Sequence, residues 1–412
     1  MADKKNTSYP KDKINILFLE NISDTAVKQF VDAGYPNVKK LTGAISEADL
    51  IKEIKNTHIL GIRSKTQITP AILNAAEKLQ AIGCFCIGVN QVNLEHATES
   101  GVAVFNAPYS NTRSVAELVI GSSILLVRKI IDKNIAAHKG QWMKDASGAH
   151  ELRGKTIGIV GYGNIGSQVS VLAEALGMKV LFYDAETKLP LGNASDSKTL
   201  KELLQQSDVV TLHVPEIAST QNMINKTTLS YFKKGAVLIN YARGTVVDIP
   251  ALRKALEKGQ LGGAAVDVFP VEPEKNGDVF ESELQGLSNV LLTPHIGGST
   301  QEAQSNIGVD VSAKLFNYLE KGITTGSHTI PALALPPQEG AHRILHIHKN
   351  VPGVLSQINT LLSKNNINIV AQYLKTNDRI GYVVLDVDKN LSKNAMELLK
   401  GVKETIKVRM LY

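Results

Sequence analysis

The sequence predicts an α/β protein with two parallel sheets and a smaller C-terminal α+β module. Three observations predict it. Short apolar runs alternate with helical patterns over residues 14–105, and alternation of this kind is the signature of parallel sheets covered by helices. A second series of the same kind occupies residues 155–293. A third, shorter run with the order βαββαβ fills the last 70 or so residues, which is the order of a ferredoxin-like module.

In the first series, Ile14–Leu19, Ile59–Arg63, Ala81–Cys86 and Val102–Phe105 read as strands, with a helical pattern through Val27–Phe30. Asn111–Ile130 reads as one long, largely apolar helix, of a length suited to bridging two domains. The second series gives strands at Thr156–Val160, Lys179–Tyr183, Val209–His213, Ala236–Asn240, Gly263–Val268 and Val290–Thr293, and helices at Ile165–Leu176, Leu200–Leu204 and Ile249–Lys258. Ser299-Thr-Gln-Glu302 has the spacing of a capping box, so a helix is expected from there to about Lys321. Three prolines and a glycine within Pro331–Gly340 mark a linker or boundary. Beyond it, strands are expected at Arg343–His348, Asn368–Lys375, Gly381–Val387 and Ile406–Leu411, and helices at Val354–Asn365 and Ser392–Leu399.

The chain has 412 residues, enough for two to four domains at roughly 100–200 residues each. Hydrophobic residues make up 43% and charged residues 20%, an ordinary soluble composition. The net charge is +6, without a dense Lys/Arg block, which fits an enzyme of anionic substrates better than a nucleic-acid binder. Met1–Lys13 is polar, and the longest apolar stretch, Leu118–Val127, is broken by Gly121, Ser122 and Ser123. It is too short for a membrane span, so a cytoplasmic protein without membrane contact is expected. Cys84 and Cys86, the only cysteines, suit neither a disulfide framework nor a metal site and read as buried thiols in a reducing compartment.

Gly161-Tyr-Gly163-Asn164-Ile165-Gly166 follows one strand of the second series and opens a helix, and Asp184 ends the next strand. In a dinucleotide site of the Rossmann type, the first glycine permits the tight turn. The second admits the pyrophosphate and the third lets helix and strand pack closely. The helix N-terminus favours the anion. The Asp184 carboxylate accepts ribose hydroxyls and repels a 2′-phosphate, so NAD is expected over NADP, with Lys188 as the only local counter-argument.

Candidates for chemistry follow later strands. Arg243 lies in Asn240-Tyr241-Ala242-Arg243-Gly244, Glu272 in Asp267-Val-Phe-Pro-Val-Glu272-Pro, and His295 in Thr293-Pro-His295-Ile-Gly297-Gly298. Oxidising a hydroxyl by hydride transfer calls for a base, a group that orients it and a cation for the substrate carboxylate. His295, Glu272 and Arg243 supply these types. His213, in Leu212-His-Val-Pro215, also follows a strand, and spacing does not rank it below His295.

Taken together, Gly161–Gly166, Asp184, Arg243, Asp267…Glu272 and His295 resemble the D-2-hydroxyacid dehydrogenase family. Further runs, Ala81–Gly88, Phe105–Pro108, Ser110–Glu117 and Leu189–Asn193, resemble its phosphoglycerate-oxidising branch. His348-Lys-Asn350-Val-Pro-Gly353 is similar to an ACT domain. The resemblance implies a flavodoxin-like substrate domain at residues 1–110 and 298–337, a Rossmann domain at 111–297 inserted within it, and an ACT domain at 338–412. It implies catalysis by Arg243, Glu272 and His295, with no metal. Around NAD it places Gly161, Gly163, Asn164, Ile165, Gly166, Asp184, Tyr241, Ala242, Arg243, Asp267, His295, Gly297 and Gly298. Around a phosphorylated hydroxyacid it places Arg63, Ser64, Lys65, Asn106 and Lys144. Lys65 stands where relatives often carry Arg, so a planar fork is replaced by a point charge. For L-serine as effector it implies His348, Asn350 and, in an arrangement of paired modules, Asn368 of the second module, in a homotetramer.

The reaction implied is reversible oxidation of 3-phospho-D-glycerate, the first step of phosphorylated L-serine synthesis. The motifs do not separate members that also reduce 2-oxoglutarate. A hydroxypyruvate or D-lactate reductase and a non-enzymatic NAD-sensing binding protein share the fold. The Arg63/Lys65 pair and the ACT-like tail argue against the reductases, and the tail's resemblance to an amino-acid sensor argues against the binding protein.

Overall fold

The computed structural model describes residues 9–273, 277–338 and 340–411; the first eight residues of the polar N-terminal stretch, and Glu339 of the Pro331–Gly340 segment, lie outside the described residues. The chain divides into two compact units, residues 1–110 with 304–412 and residues 111–303.

The first unit holds a five-stranded parallel sheet of β1 (Ile16–Phe18), β2 (Val38–Lys40), β3 (Ile59–Ile62), β4 (Ala81–Cys84) and β5 (Ala103–Asn106). Its order is β2-β1-β3-β4-β5, the flavodoxin-like arrangement, which reverses direction between β1 and β3. Strands such as Ile59–Ile62 are buried along their whole length because helices cover both faces. Strand β2 escaped the sequence reading: it is three residues long, lies at an edge and ends in two lysines.

The second unit carries β6 (Thr156–Val160), β7 (Lys179–Tyr183), β8 (Ser195–Asp196), β9 (Val209–Leu212), β10 (Ala236–Asn240), β11 (Leu261–Val266) and β12 (Val290–Leu292). The order β12-β11-β10-β9-β6-β7-β8 is the doubly wound Rossmann order, with its switch between β6 and β9. The two-residue edge strand β8 also escaped the sequence, being exposed and polar. The long helix expected at 111–130 is two helices, Thr112–Val127 and Ile130–His138. They part at Lys129, whose φ of 52° is left-handed, while the free carbonyl of Val127 accepts the His150 N–H at 3.0 Å. The helix Gln301–Lys321 starts where Thr300, rather than Ser299, takes the capping role: its hydroxyl accepts the Ala303 N–H at 3.1 Å.

The C-terminal module has β13 (His342–Lys349), β14 (Ile369–Thr376), β15 (Ile380–Val387) and β16 (Thr405–Leu411) in the antiparallel order β14-β15-β13-β16, with helices Val354–Lys364 and Ser392–Lys400 on one face. Alternation on β13 divides its residues cleanly. Ile344 joins Val354, Ile358 and Leu362 in the module's own core. Leu345 and Ile347 face the other way and share a core with Val311, Leu315 and Tyr318 of the helix Gln301–Lys321. The module is therefore packed on the first unit rather than merely tethered to it. It also terminates that helix: Arg343 Nη1 donates to the Lys321 carbonyl (3.2 Å), Arg409 Nη2 to that of Tyr318 (2.7 Å) and the Tyr382 hydroxyl to that of Gly322 (2.6 Å). The Lys321 carbonyl is one that a helix C-terminus leaves without an internal partner; that of Tyr318 also accepts the Gly322 N–H at 3.1 Å.

Arg343 is held by Asp386 across the β13–β15 register, with Nε–Oδ1 at 2.7 Å and Nη2–Oδ2 at 2.8 Å, both side chains buried. Removing one partner of such a pair costs about 3–5 kcal/mol. Asp386→Ala is expected to lower the stability of this module by that amount, read as faster amide exchange along β13 and β15. Unchanged exchange would show that water replaces the carboxylate without loss.

Candidate active site

Both sheets end their strands toward loops that carry the candidate residues, and each cluster is built by its own unit. In the second unit, β6 runs into Gly161, whose φ is 93°. A Cβ there would lie 2.7 Å from the carbonyl carbon and oxygen of His213, at the end of β9, so the turn sits in the switch crevice. A Cβ on Gly166 would collide with the Gly161 carbonyl oxygen, whereas Gly163 has open space around it. The helix Asn164–Ala175 begins at Gly163 with no side-chain cap, leaving the first N–H groups, those of Asn164 and Ile165 among them, to bind an anion. This is the surface a pyrophosphate needs.

Asp184 follows β7 directly. Its Oδ2 accepts the Tyr162 N–H (2.7 Å) and its Oδ1 the Glu186 N–H (2.9 Å), which fixes the carboxylate at the edge of the glycine turn. Lys188 is paired with Glu186 at 2.5 Å, and this bond raises its pKa.

The acid–base pair is explicit. His295 Nδ1 lies 2.8 Å from Glu272 Oε2, while Glu272 Oε1 accepts the Phe269 N–H at 3.1 Å. The bond to Glu272 raises the pKa of His295 above its usual value, aided by the charges of Glu272 and Asp267 and opposed by burial and Arg243. Burial alone would raise the Glu272 carboxyl; its bonds to His295 and Phe269 and the charges of His295 and Arg243 outweigh this and lower it. His295 has a left-handed backbone, φ 53°, rare for a residue with a side chain. Buried Asp267 holds it there. Asp267 Oδ1 accepts the Thr293 hydroxyl (2.6 Å) and the Ile296 N–H (2.8 Å), Oδ2 accepts the Gly297 N–H (2.7 Å), and its carbonyl accepts the His295 N–H (2.8 Å).

His213, the rival base, is half-buried. Its Nε2 meets the Thr211 hydroxyl at 3.0 Å, its Nδ1 is buried without a partner, and burial pushes its pKa down to about 3. With no carboxylate to raise its basicity, it is a poor proton acceptor at neutral pH.

Arg243, just past β10, is exposed, and its Nη1 donates to the Ala242 carbonyl at 2.7 Å. Buried Asn240, which the sequence reading passed over, shapes this turn: its amide donates to the Arg243 carbonyl (3.0 Å) and accepts the Ala242 N–H (3.2 Å). A polar residue ending an otherwise apolar strand was the signal available. Tyr241 and Ala242 are buried, and the Tyr241 hydroxyl is turned to Ser122 at 2.6 Å. Gly298 packs against the Asn111 side chain. Lys144 is exposed in the same unit, beside the exposed Trp142.

In the first unit, Arg63, Ser64 and Lys65 form a loop just past β3, at the β1/β3 switch, with Ser64 and Lys65 exposed. Asn106 departs from expectation. It is buried, with Nδ2 on the Ile87 carbonyl (2.5 Å) and Oδ1 on His328 Nε2 (2.9 Å), so both ends of its amide are engaged within the unit. Cys84 is buried and Cys86 only half-buried, and burial raises both thiol pKa values.

In the ACT-like module, His348 is buried. Its Nδ1 donates to the Lys349 carbonyl (2.8 Å), and its Nε2 is buried without a partner. Asn350 follows β13, with its amide on the Asn377 carbonyl (2.8 Å). Asn368 precedes β14, and the register puts it at the other end of the sheet, since Ile369 and His342 both pair with Val387 while His348 pairs with Gly381. Six residues of strand span about 20 Å, so one chain does not bring Asn368 to His348.

The profile described as D-isomer specific 2-hydroxyacid dehydrogenase, NAD binding domain, matches residues 120–297, and that of the AHAS small subunit-like ACT domain matches residues 344–409. D-3-phosphoglycerate dehydrogenase from Escherichia coli (strain K12) is 51% identical over 407 residues, covering 98% of this chain and 99% of its own. The chain belongs to the D-3-phosphoglycerate dehydrogenase family. The Dictyostelium discoideum member of this family is 49% identical, with the same coverage. Among solved structures, a D-lactate dehydrogenase from Aquifex aeolicus, complexed with NAD and lactic acid, superposes with a TM-score of 0.66. It is 28% identical and covers 77% of this chain and 100% of its own. NAD is thus the cofactor.

His295→Ala is expected to lower kcat by about 10²–10⁴-fold with NADH binding retained. With neutral His295 as the base, kcat/KM for hydroxyacid oxidation is expected to rise with pH through a pKa that the bond to Glu272 raises. Glu272→Gln is expected to move that rise to lower pH. A profile that moves in His213→Gln instead would make His213 the base.

Proposed function

We propose that this chain oxidises 3-phospho-D-glycerate to 3-phosphohydroxypyruvate, reversibly and with NAD, as the first step of phosphorylated L-serine synthesis, and that L-serine inhibits it. The observation that carries the chemistry is the 2.8 Å pair of His295 and Glu272 on the same unit as the glycine turn. Nδ1–H donates to the Glu272 carboxylate, which leaves the Nε2 lone pair as the base for the substrate hydroxyl. NAD, when bound, supplies the carbon that accepts hydride. As the hydroxyl proton leaves, His295 becomes cationic, and Glu272 stabilises that cation. In the reverse direction the imidazolium returns the proton to the carbonyl oxygen. Arg243 holds the substrate carboxylate through its planar fork. Arg63, Ser64 and Lys65 read the phosphate, and Lys144 adds a further cation. The two free thiols suit work in the reducing cytoplasm.

Regulation uses the ACT-like module. The unpartnered Nε2 of His348 and the amide of Asn350 provide acceptor and donor groups for a small amino acid. Because Asn368 stands at the far end of its own sheet, a complete site needs a second module pairing along the β14 edge, where Val370 and Leu374 are exposed. This supports an assembly of at least two copies, and we infer a homotetramer.

Two measurements test the reading. Arg63→Ala should raise KM for phosphohydroxypyruvate far more than for hydroxypyruvate, since a charge-assisted hydrogen bond is worth roughly 1.5–3 kcal/mol; equal effects would remove the phosphate from Arg63. Titrating L-serine against activity should inhibit the wild type and leave Asn368→Ala much less sensitive. An uninhibited wild type would overturn the regulatory part.

A further inference from the structure

Glu20 is a buried acid that the roles above leave unused. It lies two residues past β1, next to the β3 end that gives rise to the Arg63 loop, and is 7% exposed. Its carboxylate receives three backbone N–H groups of that loop. Oε1 accepts from Arg63 (3.1 Å) and Thr66 (2.9 Å), and Oε2 accepts from Lys65 (2.9 Å). Among the described residues no cationic side chain pairs with it, so those N–H dipoles are what compensate the buried charge. On the other side Gln91, 2% exposed, donates from Nε2 to the Arg63 carbonyl at 2.7 Å. The backbone is bent for this purpose. Glu20 and Asn21 both have left-handed φ, 59° and 52°, and their N–H groups are held by the carbonyls of Gly43 and Leu41 at 3.1 Å. Strain of this kind persists only where the surroundings over-determine it.

We propose that Glu20, with Gln91, is a positioning residue for substrate anion recognition: it fixes the backbone of Arg63–Thr66 from beneath so that the cationic side chains of Arg63 and Lys65 are presented in one orientation. The inference rests on the reading that this loop binds the substrate phosphate. A carboxylate suits the task because it only accepts and so matches converging N–H groups. An amide would turn an NH₂ toward at least one of them.

The test compares phosphohydroxypyruvate with hydroxypyruvate as substrates of the full-length enzyme. In Glu20→Gln, KM for the phosphorylated substrate should rise by about tenfold or more, the loss expected from one charge-assisted hydrogen bond. KM for hydroxypyruvate should move much less, and kcat at saturation should be largely kept. Glu20→Asp should recover part of the discrimination. If Glu20→Gln does not fold, Gln91→Met, which keeps volume and removes the donor, should show the same split more weakly. A lower melting temperature with both KM values moving together would overturn the positioning role. Arg63→Ala separates the two levels. If it discriminates between the substrates and neither Glu20→Gln nor Gln91→Met does, only the positioning role falls. If Arg63→Ala fails to discriminate, the phosphate-binding reading falls with it.

Discussion

The catalytic unit depends on the carboxylate of Asp267. It is buried at the end of β11 and would be costly there without partners, and it finds them in the Thr293 hydroxyl and in the N–H groups of Ile296 and Gly297. Those bonds wrap the loop around His295, whose left-handed backbone would otherwise be disfavoured by about 1–2 kcal/mol. With the backbone fixed, the imidazole meets Glu272 at 2.8 Å, and that contact sets the proton affinity of both.

The two sheets repeat one solution. Each is parallel and buried on both faces, each reverses winding once, and the polar residues that matter gather where it does: the Arg63 loop at the β1/β3 step, the Gly161 turn and the His213 segment at the β6/β9 step. Buried polar groups shape both kinds of loop by occupying backbone hydrogen-bonding groups, Asn240 behind Arg243 and Glu20 behind Arg63. The candidate cations are in this way separated from the residues that place them: Arg243 and Lys65 are exposed and Arg63 half-buried, while Asn240 and Glu20 are buried.

The C-terminal module is bound into the first unit through one face of its sheet, with Arg343, Tyr382 and Arg409 ending the helix Gln301–Lys321. A proline-rich segment precedes it, yet the shared core of Leu345, Ile347, Val311 and Leu315 makes module and helix a single packed body. A change at the His348 end of β13 therefore has a mechanical route into that helix, because close-packed cores transmit displacement.

Local sequence determined the element order, the glycine turn, the acid after β7 and the identity of the chemical groups, because apolar periodicity and glycine spacing are local properties. It missed β2 and β8, short polar edge strands whose pairing comes from a neighbour rather than from their own pattern. It joined two helices across Lys129, where only a tertiary bond from His150 to Val127 marks the break. It left His213 and His295 equal, since nothing in either tripeptide tells which imidazole meets a carboxylate and which meets only a hydroxyl. Family resemblance favoured His295; the tertiary structure places Glu272 against it and only Thr211 against His213. It also withdrew Asn106 into the interior and separated Asn368 from His348 by the length of a strand, because burial and strand register are set by partners distant in sequence.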